Sequence, residues 1–285
     1  MIKHLLLFLL LLSLSAHPAR SQDTASLQKG EKELVRLFRQ MHGEKQDRAL
    51  LLLNDSVTTL FQEILKEPAS FSYPFDSLRY AGRIYPPDTS FRIINWNLSL
   101  SGGRFRYYGF ILLKDSLNRT SRLIRLEDHT TEISHPQDTV LTPSSWYGAL
   151  YYDILLNRWE GNNYYTLLGI TFHDMFTTRK VIDVLTFDKE GNIFFGAPLF
   201  ATGEKIHDRI IFEFSARVSM LLHYDSRLGM IVFDHLSPSH PRYEGIYQFY
   251  GPDSSYDGFA FYNGMWHLKK DLDVRNIHME NKGTF

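Results

Sequence analysis

At 285 residues, with 44% apolar, 14% aromatic and 22% charged side chains, the chain can bury a sizeable core as one large domain or a domain with a small attachment. Lys and Arg number 31 against 32 for Asp and Glu, with no block of like charge, which excludes a global field for nucleic acid or anionic lipid. The chain has no cysteine, which excludes disulfides, thiolate catalysis, zinc–thiolate and iron–sulfur sites, and the acylated cysteine of a bacterial lipoprotein.

In chain order, Lys3 and His4 precede an unbroken apolar run, Leu5 to Leu12, followed by small polar residues. That run is too short for a bilayer core, which takes about 20 residues. With Ala19 and Ser21 at the −3 and −1 positions, residues 1–21 read as a secretory signal peptide cleaved before Gln22. No later segment is apolar enough to span, so the expected product is exported and soluble, without a transmembrane segment.

Residues 22–78 form the expected helical region. In "EKELVRLFRQM", Leu34, Val35, Leu37, Phe38 and Met41 recur at helical spacing, and Gly43 is a stop. A second stripe runs through Leu50, Leu53, Val57, Leu60, Phe61, Ile64 and Leu65, ending at Pro68, which has no amide hydrogen to donate. The short connection implies an antiparallel pair.

From residue 79 to 285 the pattern is β. "FRIINWNLSL", "RFRYYGFILL", "ALYYDILL", "YYTLLGITF", "KVIDVLTF", "NIFFGAPLF", "RIIFEF", "SMLLHY" and "MIVFDHL" are short, branched and aromatic, separated by Gly/Asn/Asp turns. Turns this short leave no room for crossover helices, so the sheet is largely antiparallel. The fold class is therefore mainly β with an N-terminal helical pair, the meander forming a sandwich, an open barrel or a partial propeller.

The motif search is nearly empty. There is no His-Glu-x-x-His, no Gly-x-Ser-x-Gly and no phosphate-binding glycine loop. In "PDSSYDG", Asp253, Ser255, Asp257 and Gly258 match the first six positions of a calcium loop, yet position nine is Phe261 and position twelve is Gly264. The stretch is expected to be a turn capping a hairpin, binding calcium weakly at most, and no other cofactor is indicated. Trp146, Tyr147, Trp159 and Trp266 are the candidates for an aromatic platform that stacks on a sugar or peptide.

Asp followed by Ser or Thr and then by a small or aliphatic residue occurs five times, where composition alone gives about one. The acceptors are Thr24, Ser56, Ser77, Ser116 and Thr139, and the pattern resembles an O-glycosylation sequon of exported Bacteroidota proteins. The run "FRIINWN", "RYYGFI", "WYGALYYDI", "RKVIDVLTF", "FGAPLF", "IVFDHLSP" and "GPDSSYDGF" is likewise similar to a group of exported β-rich Bacteroidota proteins with no assigned activity. The resemblance covers roughly residues 90–275, well over half of the chain. It implies a periplasmic or cell-surface location and transfers no catalytic residue.

The leading expectation is thus a non-enzymatic envelope protein, a binding or structural module whose partner is an envelope protein or polysaccharide. The alternative is a periplasmic hydrolase of glycans or peptides built from Asp153, Asp174, Asp234 or His235. A pair of carboxylates, or a His–carboxylate pair, meeting in one cleft would favour the alternative.

Overall fold

The computed structural model describes residues 19–114 and 121–273. It is mainly β, with two helices at the N-terminus and antiparallel sheets that include a curled half-barrel. The chain divides into two compact units, one boundary lying between Tyr80 and Ala81. No described helix is long and apolar enough to cross a membrane. The expected signal segment lies outside the described residues up to residue 18, and Ala19–Ser21 form the first turn of helix α1.

In the helical unit, α1 (Ala19–Gly43) and α2 (Asp47–Ile64) follow the two apolar stripes, although Asp47, the first residue of α2, belongs to the β unit. Leu34, Leu37, Phe38 and Met41 of α1 are buried, as are Leu50, Val57, Phe61 and Ile64 of α2. The helices approach closely at Gly30, where a Cβ would lie 2.7 Å from Ile64 Cγ2. Glu31, buried on α1, accepts from the Tyr73 hydroxyl and the Ser77 amide, each at 2.6 Å, and so anchors the chain that leaves α2. Burial, reinforced by Glu31, pushes the Tyr73 phenol up to about 12.

The β unit contains three sheets. The first is a four-stranded sheet in the order β1 (Gly82–Ile84), β2 (Phe91–Leu100), β3 (Arg104–Lys114) and β4 (Ser121–Glu127). The five-stranded sheet runs β11 (Ile210–Ser215), β7 (Thr177–Phe187), β6 (Asn162–Phe172) and β5 (Leu150–Trp159), with β8 (Ile193–Phe195) on β7. The third runs β10 (Ile206–His207), β9 (Phe200–Ala201), β15 (Met265–Lys269), β14 (Tyr250–Tyr262), β13 (Met230–Pro238) and β12 (Leu222–Asp225). Alternation along β6 and β7 explains the layering. Tyr165, Leu167, Val181 and Leu185 pack with Phe91, Ile93, Tyr107 and Ile111 of the first sheet. Leu168, Ile182 and Val184 pack with Phe233, Phe259 and Trp266 of the third. The middle sheet is apolar on both faces, which is why "TLLGI" and "KVIDVL" read as near-continuous apolar runs rather than alternating ones.

A buried polar network crosses the middle sheet. Asp183 and Arg209 both have fully buried side chains, and Arg209 Nε lies 2.9 Å from Asp183 Oδ2. Tyr151 donates its hydroxyl to Asp183 at 3.0 Å and accepts from the Trp146 indole at 3.1 Å. Arg209 also donates to the carbonyls of Pro136 and Thr139. Burying two charges costs less when each is paired and hydrogen-bonded in this way.

Candidate functional site

A groove of about 730 Å³ lies in the β unit, where β3, the end of β4, the Thr130–Glu132 turn and the end of β6 meet. That volume falls in the range of small-ligand sites. Tyr107 forms its floor: the backbone amide donates to Asp128 Oδ2 at 2.8 Å, and the hydroxyl donates to the Phe172 carbonyl at 3.0 Å. Burial raises the Tyr107 phenol far above its ordinary value, so it stays protonated. Phe105 and Phe172 supply an apolar wall, their ring centres 5.3 Å apart.

Two of the lining carboxylates, Asp128 and Asp174, are committed to local structure. Asp128 Oδ1 accepts from the Thr130 amide at 3.0 Å and its hydroxyl at 2.6 Å, while that hydroxyl accepts from the Gly148 amide. Gly148 has to be glycine here, since a Cβ would stand 2.6 Å from Tyr107 Cβ and 2.7 Å from Asp128 Oδ1. Asp174 Oδ1 takes the Phe176 and Thr177 amides, each at 2.7 Å, closing the β6–β7 turn. Burial works to raise the Asp174 carboxyl, but these amides outweigh it and leave it below the usual range. Beside it, burial lowers the His173 imidazole, and the Arg179 guanidinium lowers it further, so the ring is neutral. On the rim, Arg104 is held by Asp47 at 2.8 Å and Glu132 by His129 at 2.9 Å.

The four hydrolase candidates do not converge. Asp153 accepts from the Ile154 amide beside a β-bulge, Asp174 serves its turn, and Asp234 accepts from the Leu221 amide. His235 does meet a carboxylate, but it is Asp257, with Nδ1 2.8 Å from Oδ2. The pair sits on β13 and β14 rather than among the groove's lining residues.

That pairing corrects the expectation for "PDSSYDG". The stretch is not a hairpin turn but the interior of β14. Asp234 pairs with Tyr256 and Leu236 with Pro252, so Asp253–Ser255 bulge out opposite the single residue His235. Ser254 takes a left-handed φ of 75°, which lets the turn-forming residues be absorbed without reversing the chain. The bulge aims two carboxylates at one imidazole: Asp257, and Asp253 at 3.9 Å from Nε2. The hydrogen bond that the His235 imidazole donates to the Asp257 carboxylate raises the imidazole, overcoming the opposing effect of burial. Asp253 is also used by the amide and hydroxyl of Ser255, and Asp257 accepts the Asp271 amide. Among the described residues no group of three or more His, Asp or Glu is placed to hold a metal ion. The hairpin turn lies instead at Asn263-Gly264, both with positive φ, the backbone that an Asn-Gly pair adopts most readily.

Three of the four platform candidates are likewise corrected: Trp146, Tyr147 and Trp266 are 0%, 0% and 1% exposed. Their polar ends explain why they tolerate the core. The Trp146 indole donates to Tyr151, the Trp266 indole donates to Thr166, and the Tyr147 hydroxyl accepts from Arg179. Trp159 is exposed at 39% and lies along the Gly264 turn, where a Cβ would stand 2.5 Å from its Cδ1. The larger aromatic surface is the segment between β13 and β14. There Tyr243 and Phe249 stack at 4.1 Å, Arg242 covers Tyr243, and Ile246 and Tyr247 face solvent. Its signal in the sequence is the "IYQF" run with Pro241 and Gly245 before it, which marks an aromatic loop leading into β14.

Of the glycan acceptors, Thr24, Ser56 and Ser77 are exposed, Thr139 is half-buried, and Ser116 lies outside the described residues. Thr24 and Ser56 sit within helices rather than loops, and the Ser56 hydroxyl donates back to the Leu52 carbonyl.

Comparison with protein-family models, curated proteins and solved structures returns no match.

Proposed function

We propose that the chain is an exported, non-enzymatic envelope protein, periplasmic or at the cell surface, whose β unit binds another envelope component in the β3–β4 groove. The observation that carries this reading is the commitment of Asp128 and Asp174. Two of the carboxylates that line the groove each hold a turn through two or more donors, so they serve local structure rather than standing ready as a general acid, base or nucleophile. What the groove offers a ligand is a rigid floor, an aromatic wall and charged groups on its rim.

The test is affinity capture from the protein's own envelope fraction, run beside an assay for hydrolysis of cell-wall polymer. This reading expects a retained component and no release of soluble products. Polymer cleavage with no component retained would overturn it.

A second reading has one observation in its favour, the His235–Asp257 pair, which has the orientation of a general base and its partner. Against it, two carboxylates face the ring and favour the charged imidazolium, which is no base. Loss of hydrolysis in His235→Ala, with the fold intact, would restore the hydrolase.

A further inference from the structure

The rim of the groove is more selective than its volume suggests, because most of its charges already have partners. Arg104 is bonded to Asp47, Glu132 to His129, and Asp128 and Asp174 to backbone. Arg106 and Arg125 line the same groove, are exposed, and have no partner among the described residues. Of the lining carboxylates only Glu127 is similarly uncommitted. Two unspent guanidinium groups therefore stand against one carboxylate.

We propose that the groove binds an oligosaccharide that carries carboxylate groups, with Arg106 and Arg125 receiving the acid. The inference rests on the reading of the groove as a binding site and names the class of ligand for it. A guanidinium is charged at every physiological pH and matches a carboxylate with two parallel N–H donors. The rest of the lining suits hydroxyl-rich rings. Neutral His173 has one nitrogen to donate and one to accept, Thr131 and Tyr108 contribute hydroxyls, and Phe105 with Phe172 presents an apolar wall to a C–H face.

Two other anionic ligands fit less well. An acidic peptide held in extended form takes its affinity from a free sheet edge. Along the end of β4 that edge is already filled: the Trp146 amide donates to the Glu127 carbonyl at 2.9 Å, and the His129 amide donates to the Trp146 carbonyl at 3.0 Å. A free phosphate is held best by convergent backbone amides. The amides of Thr130, Phe176 and Thr177 point instead at Asp128 and Asp174.

The test is calorimetric titration of the full chain with tetramers of galacturonate, glucuronate and mannuronate. Methyl-esterified tetramers and tetraglutamate serve as comparators, and all are also titrated into Arg106→Ala/Arg125→Ala. The proposal expects at least one uronate to bind, its methyl ester to bind at least tenfold more weakly, and the double variant to lose about tenfold per guanidinium removed. Both side chains are exposed, so the variant should melt with the wild type. Equal binding of acid and ester would overturn the ligand class while leaving the groove as a site. Preferential binding of tetraglutamate would make the ligand a peptide. Full affinity in the double variant would remove the site itself. No binding of any uronate would overturn the class, and capture from the envelope would still decide separately whether the protein is a binder.

Discussion

Asp183→Ala is the most informative stability variant. The substitution strips the partner from a guanidinium that is wholly inside the β unit, leaving Arg209 with only the Pro136 and Thr139 carbonyls. It also removes the acceptor of the Tyr151 hydroxyl. Breaking a buried pair by removing one partner costs about 3–5 kcal/mol, because the surviving charge stays desolvated. For a unit of this size that corresponds to roughly 6–20 °C in Tm, at about 2–4 °C per kcal/mol. Removing both charges has a different expected result: Asp183→Leu/Arg209→Met leaves no uncompensated ion, and most of the loss should return. The assay is urea unfolding followed by the fluorescence of Trp146, which donates to Tyr151 within the same network. A loss under about 1 kcal/mol in the single variant would refute the reasoning, as would a double variant no more stable than the single.

Gly264→Ala should cost about 1–2 kcal/mol for the left-handed φ of 78° alone, and more because its Cβ would push Trp159 off the turn; unfolding midpoints and a shift in Trp159 emission would show both effects. His235 has a folded pKa raised by Asp257, so its contribution to stability is fully present below its unfolded value of about 6.5 and is lost as pH rises through the higher folded value. The melting temperature of the wild type should therefore fall over that window relative to His235→Ala, and parallel pH profiles would disprove the coupling. Millimolar calcium should leave the melting temperature unchanged, since Asp253 and Asp257 are already used by Ser255, His235 and Asp271; a rise abolished by Asp257→Ala would reveal a site. Mass spectrometry of native peptides should find glycan on the exposed Thr24, Ser56 or Ser77; unmodified peptides at all three would make the sequon enrichment a coincidence.

How far the sequence could be read depends on how local each signal was. β2 falls on the predicted "FRIINWNLSL" from Phe91 to Leu100, because an apolar run ending in Ser-Gly-Gly leaves one reading. "NIFFGAPLF" was less tractable: one apolar run became β8 and β9 in two different sheets, since Gly196 has a left-handed φ of 92° and redirects the chain. The Asp253–Gly258 stretch misled because the same residues serve a turn and a bulge, and only the partner strand decides between them. Trp146 and Trp266 read as platform candidates because an indole needs a partner for its N–H, and only the fold shows that Tyr151, five residues on, and Thr166, a hundred residues away, supply it inside the core. The groove was not legible at all. Its lining comes from residues 100–108, 125–132 and 172–174, which only the pairing of three strands and a turn brings together.

Photo-crosslinking from within the groove tests the account most directly. A photoreactive residue at Glu132, on the groove's rim, is compared with one at Lys189, in the β7–β8 turn and outside the groove, in the full chain exposed to its own envelope fraction. One envelope component should be captured from position 132 and not from position 189. Capture from neither position, or equally from both, would contradict it.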